Sequence, residues 1–214
     1  MGFVDLLKKR AKESVKTIVL PETEDMRTLE ATDKILKEGV AKIILIGNEE
    51  EINKKAKEGG FDISGATIVD PETSDKTQAY IDKFVELRAK KGMTPEKAKE
   101  ILHTQYPYYG VMMVKMGDAD GMVSGACHST ADTLRPCLQI LKTKPGTKLV
   151  SAFFLIVVPD CEYGANGAFV FADSGLNQNP TPEELSAIAA SSAESFQLLV
   201  QEEPVVAMLS HSTK

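Results

Sequence analysis

The stretch Ala41-Lys-Ile-Ile-Leu-Ile-Gly-Asn48 decides the fold class of this 214-residue chain. Residues 43–46 form an apolar run, and the turn residues Gly47 and Asn48 lead into a charged segment, 49–57. An apolar run bounded by turn residues predicts a strand buried on both faces, which is typical of a parallel sheet covered by helices. The stretch therefore predicts an α/β fold.

The segments on either side of this strand alternate in the same way. Apolar spacing, caps and turn residues predict helices over 3–12, 25–37, 49–57, 76–91, 95–102 and 109–116, a helix ending near 141, and strands over 17–20, 41–46, 67–69 and 120–124. Strands that alternate with helices imply a parallel sheet with helices on its faces.

The pattern changes after residues 142–148, a basic, turn-rich segment that we interpret as a linker. Two strands, 149–158 and 168–172, are close enough in sequence to pair antiparallel. The sequence Thr181-Pro-Glu-Glu184 begins a helix that should reach about residue 200. A last buried strand is predicted over 204–209, and so apolar a strand should be covered by further elements of structure. We therefore expect the chain to be a fragment, or its second unit to be completed by a partner.

Composition restricts the partners and the location of the protein. The net charge is −6, which argues against nucleic acid, because that affinity depends on Lys and Arg neutralising phosphates. The longest apolar run, 149–159, is too short to span a bilayer, so no membrane partner is expected. The charged first ten residues do not form a signal peptide, which predicts reduced thiols and a cytoplasmic location. Three cysteines and three histidines show no metal-ligand spacing, so no metal is expected.

Arg88 is unusual because of its position on a helix. It lies one heptad after Ile81, in line with the apolar stripe formed by Ile81, Phe84 and Val85. Two interpretations stand open. The side chain either meets an anion, because an unpaired buried charge is costly, or extends past the last helical turn to solvent.

The richest polar stretch follows the strand 120–124. Ser129, Thr130 and Asp132 crowd the start of a helix, with Arg135 about one turn further on. Helix N-termini attract anions, and an anionic ligand would offset the unfavourable position of Arg135 near the positive end of the dipole. The alternative is ordinary N-capping with a solvated Arg135.

Two further stretches allow a functional or a plain interpretation. The tripeptide His-Ser-Thr occurs at 128–130 and again at 211–213, so two strand ends either face each other across a cleft or repeat a common turn composition by chance. The loop 173–180 either binds a polar ligand or is a connection rich in turn residues. The cysteines are interpreted as packing residues.

Taken together, several segments resemble the phosphate acetyltransferase family over its N-terminal part. The segments that carry the resemblance are Ile18-Val-Leu-Pro-Glu22 with Arg27, Asp120-Gly-Met-Val-Ser-Gly125, His128-Ser-Thr130 with Arg135, Phe171-Ala-Asp173 with 177–185, and Ser210-His-Ser-Thr213. One departure is Thr23, where the family has Gly.

The resemblance implies a fold, an assembly and an activity. The fold is like that of isocitrate and isopropylmalate dehydrogenases, with two α/β domains, a cleft between them and a homodimeric assembly. Domain one would cover 1–146 without its C-terminal return segment, and 147–214 would begin domain two. The activity is reversible acetyl transfer between acetyl-CoA and phosphate, giving acetyl phosphate and CoA, with coenzyme A as substrate and no permanently bound cofactor.

The resemblance also assigns binding residues. Arg88 and Arg135 match arginines that bind coenzyme A, and the phosphate and acetyl site is matched by Ser129, Thr130, Ser210, Ser212 and Thr213. The family's catalytic Asp and Arg lie in an Asn-Asp-Leu-Ser-Arg-Gly motif that residues 1–214 do not contain, so we expect this chain to be inactive by itself.

Three other functions are compatible with parts of the sequence. A phosphate butyryltransferase would differ only in its acyl pocket. A non-catalytic phosphotransacetylase-like regulatory domain is disfavoured by the short segment before Val15. An NAD-dependent dehydrogenase is disfavoured because no G-x-G-x-x-G follows a strand.

Overall fold

The structure is a computed structural model that describes residues 2–147 and 149–209. These residues form two compact units, one of residues 8–142 and one of residues 143–209 with residues 2–7. The domain boundary between 146 and 147, which refers to the complete family fold, stays a prediction.

Helices and strands alternate through the first part of the chain, as the sequence predicts. The elements are α1 (Phe3–Glu13), β1 (Lys16–Leu20), α2 (Met26–Glu38), β2 (Ala41–Ile46), α3 (Glu49–Gly59), β3 (Thr67–Val69), α4 (Thr77–Arg88) with a 3-10 turn (Ala89–Lys91), α5 (Pro95–Thr104), α6 (Tyr106–Met116), β4 (Gly121–Met122), and α7 (Thr130–Pro136) running into a π-helix (Cys137–Leu141).

The four strands form one parallel sheet in the order β3-β2-β1-β4. Side chains alternate along β2, so Ile44 and Ile46 enter one apolar cluster while Ile43 and Leu45 enter another. The prediction of an α/β fold with a parallel sheet is therefore confirmed, and the strand chosen to decide it is buried on both faces.

Helices cover both faces of this sheet. Phe84 of α4, Leu102 of α5 and Met112 of α6 are fully buried on one side, whereas Leu29 of α2 and Ile52 of α3 pack on the other. Each such side chain contributes about 1.5–3 kcal/mol of burial, so these helices are stabilised mainly by their contact with the sheet.

Strands β1 and β4 are neighbours, and this brings together two loops that are distant in sequence. Ile18 pairs with Gly121 and Val19 with Met122. Because the strands are parallel, both end at the same edge of the sheet. The turn after β1 therefore lies beside the loop after β4, which has only two residues in strand form instead of the predicted 120–124.

The second unit contains β5 (Phe153–Val157), β6 (Ala168–Ala172) and α8 (Pro182–Val200). The two strands pair antiparallel, as predicted. Thr181 caps α8 through the backbone N–H of Glu184, whose side chain accepts from the Thr181 N–H, so the predicted capping box is present.

The predicted buried strand over 204–209 is wrong. This segment has no regular structure, and Val205 and Leu209 are 95% and 90% exposed. An apolar sequence becomes a strand only when a neighbouring strand accepts its backbone hydrogen bonds, and within residues 149–209 no strand pairs with this segment.

The helices of residues 2–147 and 149–209 include none with both the length and the apolarity needed to cross a membrane. The longest, α8, carries Glu183, Glu184 and Glu194.

Candidate functional site

A buried carboxylate holds the loop that follows β4. Glu22 Oε2 accepts the backbone N–H groups of Gly125 and Ala126 at 2.7 and 2.8 Å. Its Oε1 accepts those of Cys127 and His128 at 3.0 and 2.9 Å. One side chain from the turn after β1 therefore binds four consecutive N–H groups of the loop 125–128.

Glu22 also contacts the His128 ring. The distance from Glu22 Oε1 to His128 Nδ1 is 2.8 Å, and the carboxylate side chain is 3% exposed. Burial alone would raise the pKa of Glu22, but hydrogen bonds from the loop N–H groups and from His128 outweigh it and lower the pKa to about 2. Glu22 is therefore ionised at neutral pH, and its charge is satisfied by the loop.

Cys127 sits between two carboxylates. Its Sγ lies 3.2 Å from Glu24 Oε1 and 3.6 Å from Glu22 Oε1. Partial desolvation of the thiol, together with these two negative groups, raises the pKa of Cys127 to about 12. A thiol held protonated in this way is a poor nucleophile, so the structure does not favour covalent chemistry at Cys127.

The cap of α7 is Ser129. Its Oγ accepts the backbone N–H of Asp132 at 3.2 Å and donates to the Asp132 carboxylate at 2.6 Å. Arg135 is exposed and lies 3.1 Å from the same carboxylate. Ser129 is thus an ordinary N-cap, as the alternative to an anion site predicted. Thr130 is the first residue of the helix and is exposed.

Arg88 lines a cavity at the end of α4. The cavity has a volume of about 280 Å³, and Lys91, Lys97 and Glu100 also border it. The Nε of Arg88 is buried and has no hydrogen-bond partner among residues 2–147 and 149–209. An unpaired buried donor beside two lysines makes this cavity suited to an anion.

Tyr108, the third residue of α6, is influenced by the positive charges of both Arg88 and Arg135. Burial raises the pKa of the Tyr108 phenol, and the positive charges of Arg135 and Arg88 both act against that rise. The phenol oxygen lies 3.2 Å from Oε1 of Gln139. The structure thus places both predicted arginines within electrostatic reach of one hydroxyl.

The remaining predicted site residues belong to the C-terminal part of the sequence. Ser210, Ser212 and Thr213 lie outside the described residues, and with them the second His-Ser-Thr tripeptide. The loop 173–180 is organised by Asp173, which accepts the backbone N–H groups of Gly175 and Leu176 at 2.9 and 2.7 Å.

Several residues of the region were missed from the sequence. They are Glu22, Glu24 and Tyr108, together with two hydroxyls, Ser124 Oγ and Thr133 Oγ1, that are buried without a partner among the described residues. The available signal for Glu22 was its place directly after a strand, because neighbouring parallel strands deliver their following loops to one edge.

Comparison with known proteins places these features in one family. The model of the phosphate acetyl/butaryl transferase family matches residues 2–214. The chain is 55% identical over 213 residues to the phosphate acetyltransferase of Acetivibrio thermocellus, covering 100% of this chain and 63% of that relative. It is 50% identical over 213 residues to the phosphate acetyltransferase of Clostridium acetobutylicum, covering 100% of this chain and 64% of that relative.

Solved structures agree with the sequence comparison. A phosphotransacetylase from Streptococcus pyogenes superposes with a TM-score of 0.88 at 40% identity, covering 99% of this chain and 62% of that one. The EutD phosphotransacetylase from Staphylococcus aureus superposes with a TM-score of 0.83 at 36% identity, covering 92% and 58%. The chain thus spans less than two thirds of the length of these relatives.

Proposed function

On the premise that the chain belongs to the phosphate acetyl/butaryl transferase family, we propose that the protein catalyses reversible acetyl transfer between acetyl-CoA and inorganic phosphate. The products are acetyl phosphate and CoA. The observation that carries this proposal is the 55% identity, over the whole of this chain, to a relative named phosphate acetyltransferase. Acetyl is chosen over butyryl because the two compared relatives both carry the acetyltransferase name.

Arg88 and Arg135 are assigned to binding the phosphate groups of coenzyme A. The unpaired Nε of Arg88 in a cavity bordered by Lys91 and Lys97 supports this assignment. So does the effect that both guanidinium charges exert on the Tyr108 phenol. Arginine suits phosphate because its planar fork donates two parallel hydrogen bonds.

The phosphate and acetyl groups are assigned to hydroxyls at the ends of the strands. Thr130 and Ser129 follow the loop that Glu22 holds, and in the described structure Ser129 already uses its hydroxyl as a helix cap. Ser210, Ser212 and Thr213 are assigned to the opposite wall of the same site. Buried Ser124 and Thr133 hydroxyls add donors near this loop.

Chemistry in this proposal is a direct transfer to or from the CoA thiol. An Asp deprotonates the thiol, because only the thiolate is a strong nucleophile, and an Arg stabilises the negative charge that develops on the acyl oxygen. Both residues are assigned to the Asn-Asp-Leu-Ser-Arg-Gly motif of the family, outside residues 1–214. The protein would need no permanently bound cofactor.

The finer fold and the assembly are part of the same proposal. The complete protein would adopt an isocitrate dehydrogenase-like arrangement, with domain one over 1–146 and domain two beginning at 147. It would be a cytoplasmic homodimer that binds neither nucleic acid nor membranes. The parallel sheet and the phosphotransacetylase neighbours support the α/β part of this assignment.

The proposal is tested by following CoA release from acetyl-CoA with a thiol reagent while phosphate is varied. The complete protein should release CoA only when phosphate is present and should form one acetyl phosphate per CoA. Sulfate in place of phosphate serves as the control. If CoA release is absent, or does not depend on phosphate, the protein is not a phosphate acetyltransferase. A higher kcat/KM for butyryl-CoA than for acetyl-CoA would reassign the acyl group.

A further inference from the structure

Three metal-ligating side chains come together beside the loop 125–128. Glu22 belongs to the turn after β1, Cys127 and His128 belong to the loop after β4, and their donor atoms all lie within 4.8 Å of one another. We propose that Glu22, Cys127 and His128 form a binding site for one divalent ion of the Zn²⁺ class, with a solvent molecule as the fourth ligand. The site joins two loops that are about 100 residues apart in sequence, which is why ligand spacing along the chain did not predict it.

Two of the three distances between the donor atoms fit a tetrahedral ion. Cys127 Sγ lies 3.6 Å from both His128 Nδ1 and Glu22 Oε1. With zinc bonds of about 2.3 Å to sulfur and about 2.1 Å to nitrogen or oxygen, tetrahedral donors are roughly 3.6 Å apart for pairs with sulfur and roughly 3.4 Å apart otherwise. The third distance, from His128 Nδ1 to Glu22 Oε1, is 2.8 Å and must lengthen by about 0.6 Å when an ion binds.

The ligand types select the class of metal. One thiolate, one imidazole and one carboxylate oxygen suit Zn²⁺ and Co²⁺, whereas Mg²⁺ and Ca²⁺ prefer oxygen ligands alone. The Glu22 carboxylate brings negative charge to the site, and the Glu24 carboxylate, 3.2 Å from Cys127 Sγ, adds negative charge from outside the ligand set. The nearby Arg27 is engaged elsewhere, with its Nη2 bound to Asp25 and to the carbonyl of Ala126.

Support and access are both present. The backbone N–H groups that bind Glu22 fix the position of its carboxylate, as outer-shell hydrogen bonds do in metal sites. Cys127 is exposed and the His128 side chain is 30% exposed, so an ion reaches the donors from solvent.

In the described structure the Cys127 thiol carries a proton where the ion would bind. The thiol of Cys127 donates to the carboxylates of Glu24 and Glu22. On metal binding the thiol proton leaves to solvent, and an imidazole that binds the ion through Nδ1 carries its ring proton on Nε2. The bound ion thus takes the place of the thiol proton, and it cross-links the turn after β1 to the loop that leads to Ser129. This inference does not depend on the proposed enzymatic function.

The test is a titration of the complete protein with Co²⁺ alone, after treatment with a chelator and desalting. Four-coordinate Co²⁺ with a thiolate ligand should give visible d–d bands and a near-ultraviolet charge-transfer band that saturate at one ion per chain and disappear on adding Zn²⁺. Cys127→Ser should abolish the near-ultraviolet band, and the matched control Cys161→Ser should retain it. His128→Gln, which removes the imidazole ligand at a partly exposed position, should weaken Co²⁺ affinity by roughly tenfold or more.

Absence of the near-ultraviolet band from the unaltered protein at millimolar Co²⁺ overturns the proposal. Survival of that band in Cys127→Ser, or its loss in Cys161→Ser, also overturns it. Far-ultraviolet circular dichroism confirms that each variant is folded. If Cys127→Ser fails to fold, His128→Gln decides the question, because unchanged Co²⁺ affinity in that variant rejects His128 as a ligand and the three-donor site with it.

Discussion

Arg88 and Arg135 act on the same phenol from different helices, and this defines the first prediction. Arg88→Ala and Arg135→Ala should each raise the KM for CoA by roughly tenfold or more, because a hydrogen bond to a charged group contributes about 1.5–3 kcal/mol. The KM for acetyl phosphate should change less, since these side chains are assigned to the carrier and not to the acyl group. Steady-state rates with each substrate varied in turn measure both constants.

The matched control is Lys99→Ala, which removes an exposed positive charge from α5 without altering the cavity beside Arg88. Its KM for CoA should stay within about twofold of the unaltered value if long-range charge is screened at physiological salt. An unchanged KM for CoA in both arginine variants would contradict the assignment of these residues.

Asp173 supplies a prediction on pH. Burial alone would raise the pKa of Asp173, but hydrogen bonds from the Asn177 side chain and from the N–H groups of Leu176, Ala152 and Gly175 hold the pKa well below its usual range. A carboxyl with a lowered folded-state pKa stabilises the fold above its unfolded pKa of about 3.9, and that contribution is lost as the pH falls through the folded-state value. The free energy of unfolding should therefore decrease on acidification below about pH 4.

Asp173→Asn isolates this contribution. The Asn amide has the shape of the Asp173 carboxylate, but its NH₂ group would face N–H groups that now donate to that carboxylate. The free energy of unfolding at neutral pH should therefore fall by about 1–3 kcal/mol. Urea denaturation from pH 7 downward should show a flatter pH dependence in Asp173→Asn than in the unaltered protein. Parallel pH curves for the two proteins would show that Asp173 is not the group responsible.

The candidate site shows what single residues reveal in sequence and what they do not. Arg88 and Arg135 stood out in the sequence because Arg88 continues an apolar helical stripe and Arg135 sits near a helix start, and their assignment to coenzyme A stays a prediction. Glu22 was not recognised, since its function depends on β1 and β4 being neighbours in the sheet. Strand order is a tertiary property, and nothing local to Glu22 indicates which loop its carboxylate will bind.

At the scale of elements, α6 approaches the sheet through a glycine. A Cβ added at Gly110 would lie 2.8 Å from Met122 Sδ and 3.1 Å from Val19 Cγ1. Gly110→Ala should therefore lower the free energy of unfolding by about 1–3 kcal/mol through overpacking, offset by up to about 1 kcal/mol of gained helix propensity. Chemical denaturation measures the net change.

Lys115→Ala on the same helix is the control, because its side chain is exposed. That change should stay within about 0.5 kcal/mol of the unaltered stability. A stabilised Gly110→Ala would mean that Met122 moves aside without strain and that the close approach of α6 is not required.

Most elements were predictable because local signals and burial agree. The strands over 41–46, 67–69 and 168–172 match the structure residue for residue. The start of α6 was placed three residues late, since Pro107 resembles a break in sequence although the first turn of a helix tolerates proline. The prediction over 204–209 was wrong for a different reason, because it relied on apolar composition alone. A strand also needs a neighbouring strand to pair with, and composition does not reveal whether one is present.

At the scale of the molecule, the two units differ in how completely their apolar residues are covered. In residues 8–142 both sheet faces are packed by helices. In residues 143–209 the cross-strand neighbours Phe154 and Phe171 are more than half exposed, as is Leu198 of α8. The first unit therefore has both faces of its sheet covered, whereas the second leaves more apolar surface to solvent than an isolated domain usually does.

Binding and catalysis should consequently separate between residues 1–214 and the complete protein. A polypeptide of residues 1–214 should bind CoA, because Arg88, Arg135 and the cavity with Lys91 and Lys97 all lie within residues 8–142. Its rate of acetyl phosphate formation should be small, because the Asp that generates the thiolate and the Arg that stabilises the oxyanion are assigned outside it. Calorimetric titration with CoA and the phosphate-dependent release assay measure the two properties. Equal specific activity of the polypeptide and the complete protein would refute this placement of the catalytic residues, whereas loss of CoA binding with retained helical circular dichroism would refute the arginine assignment instead.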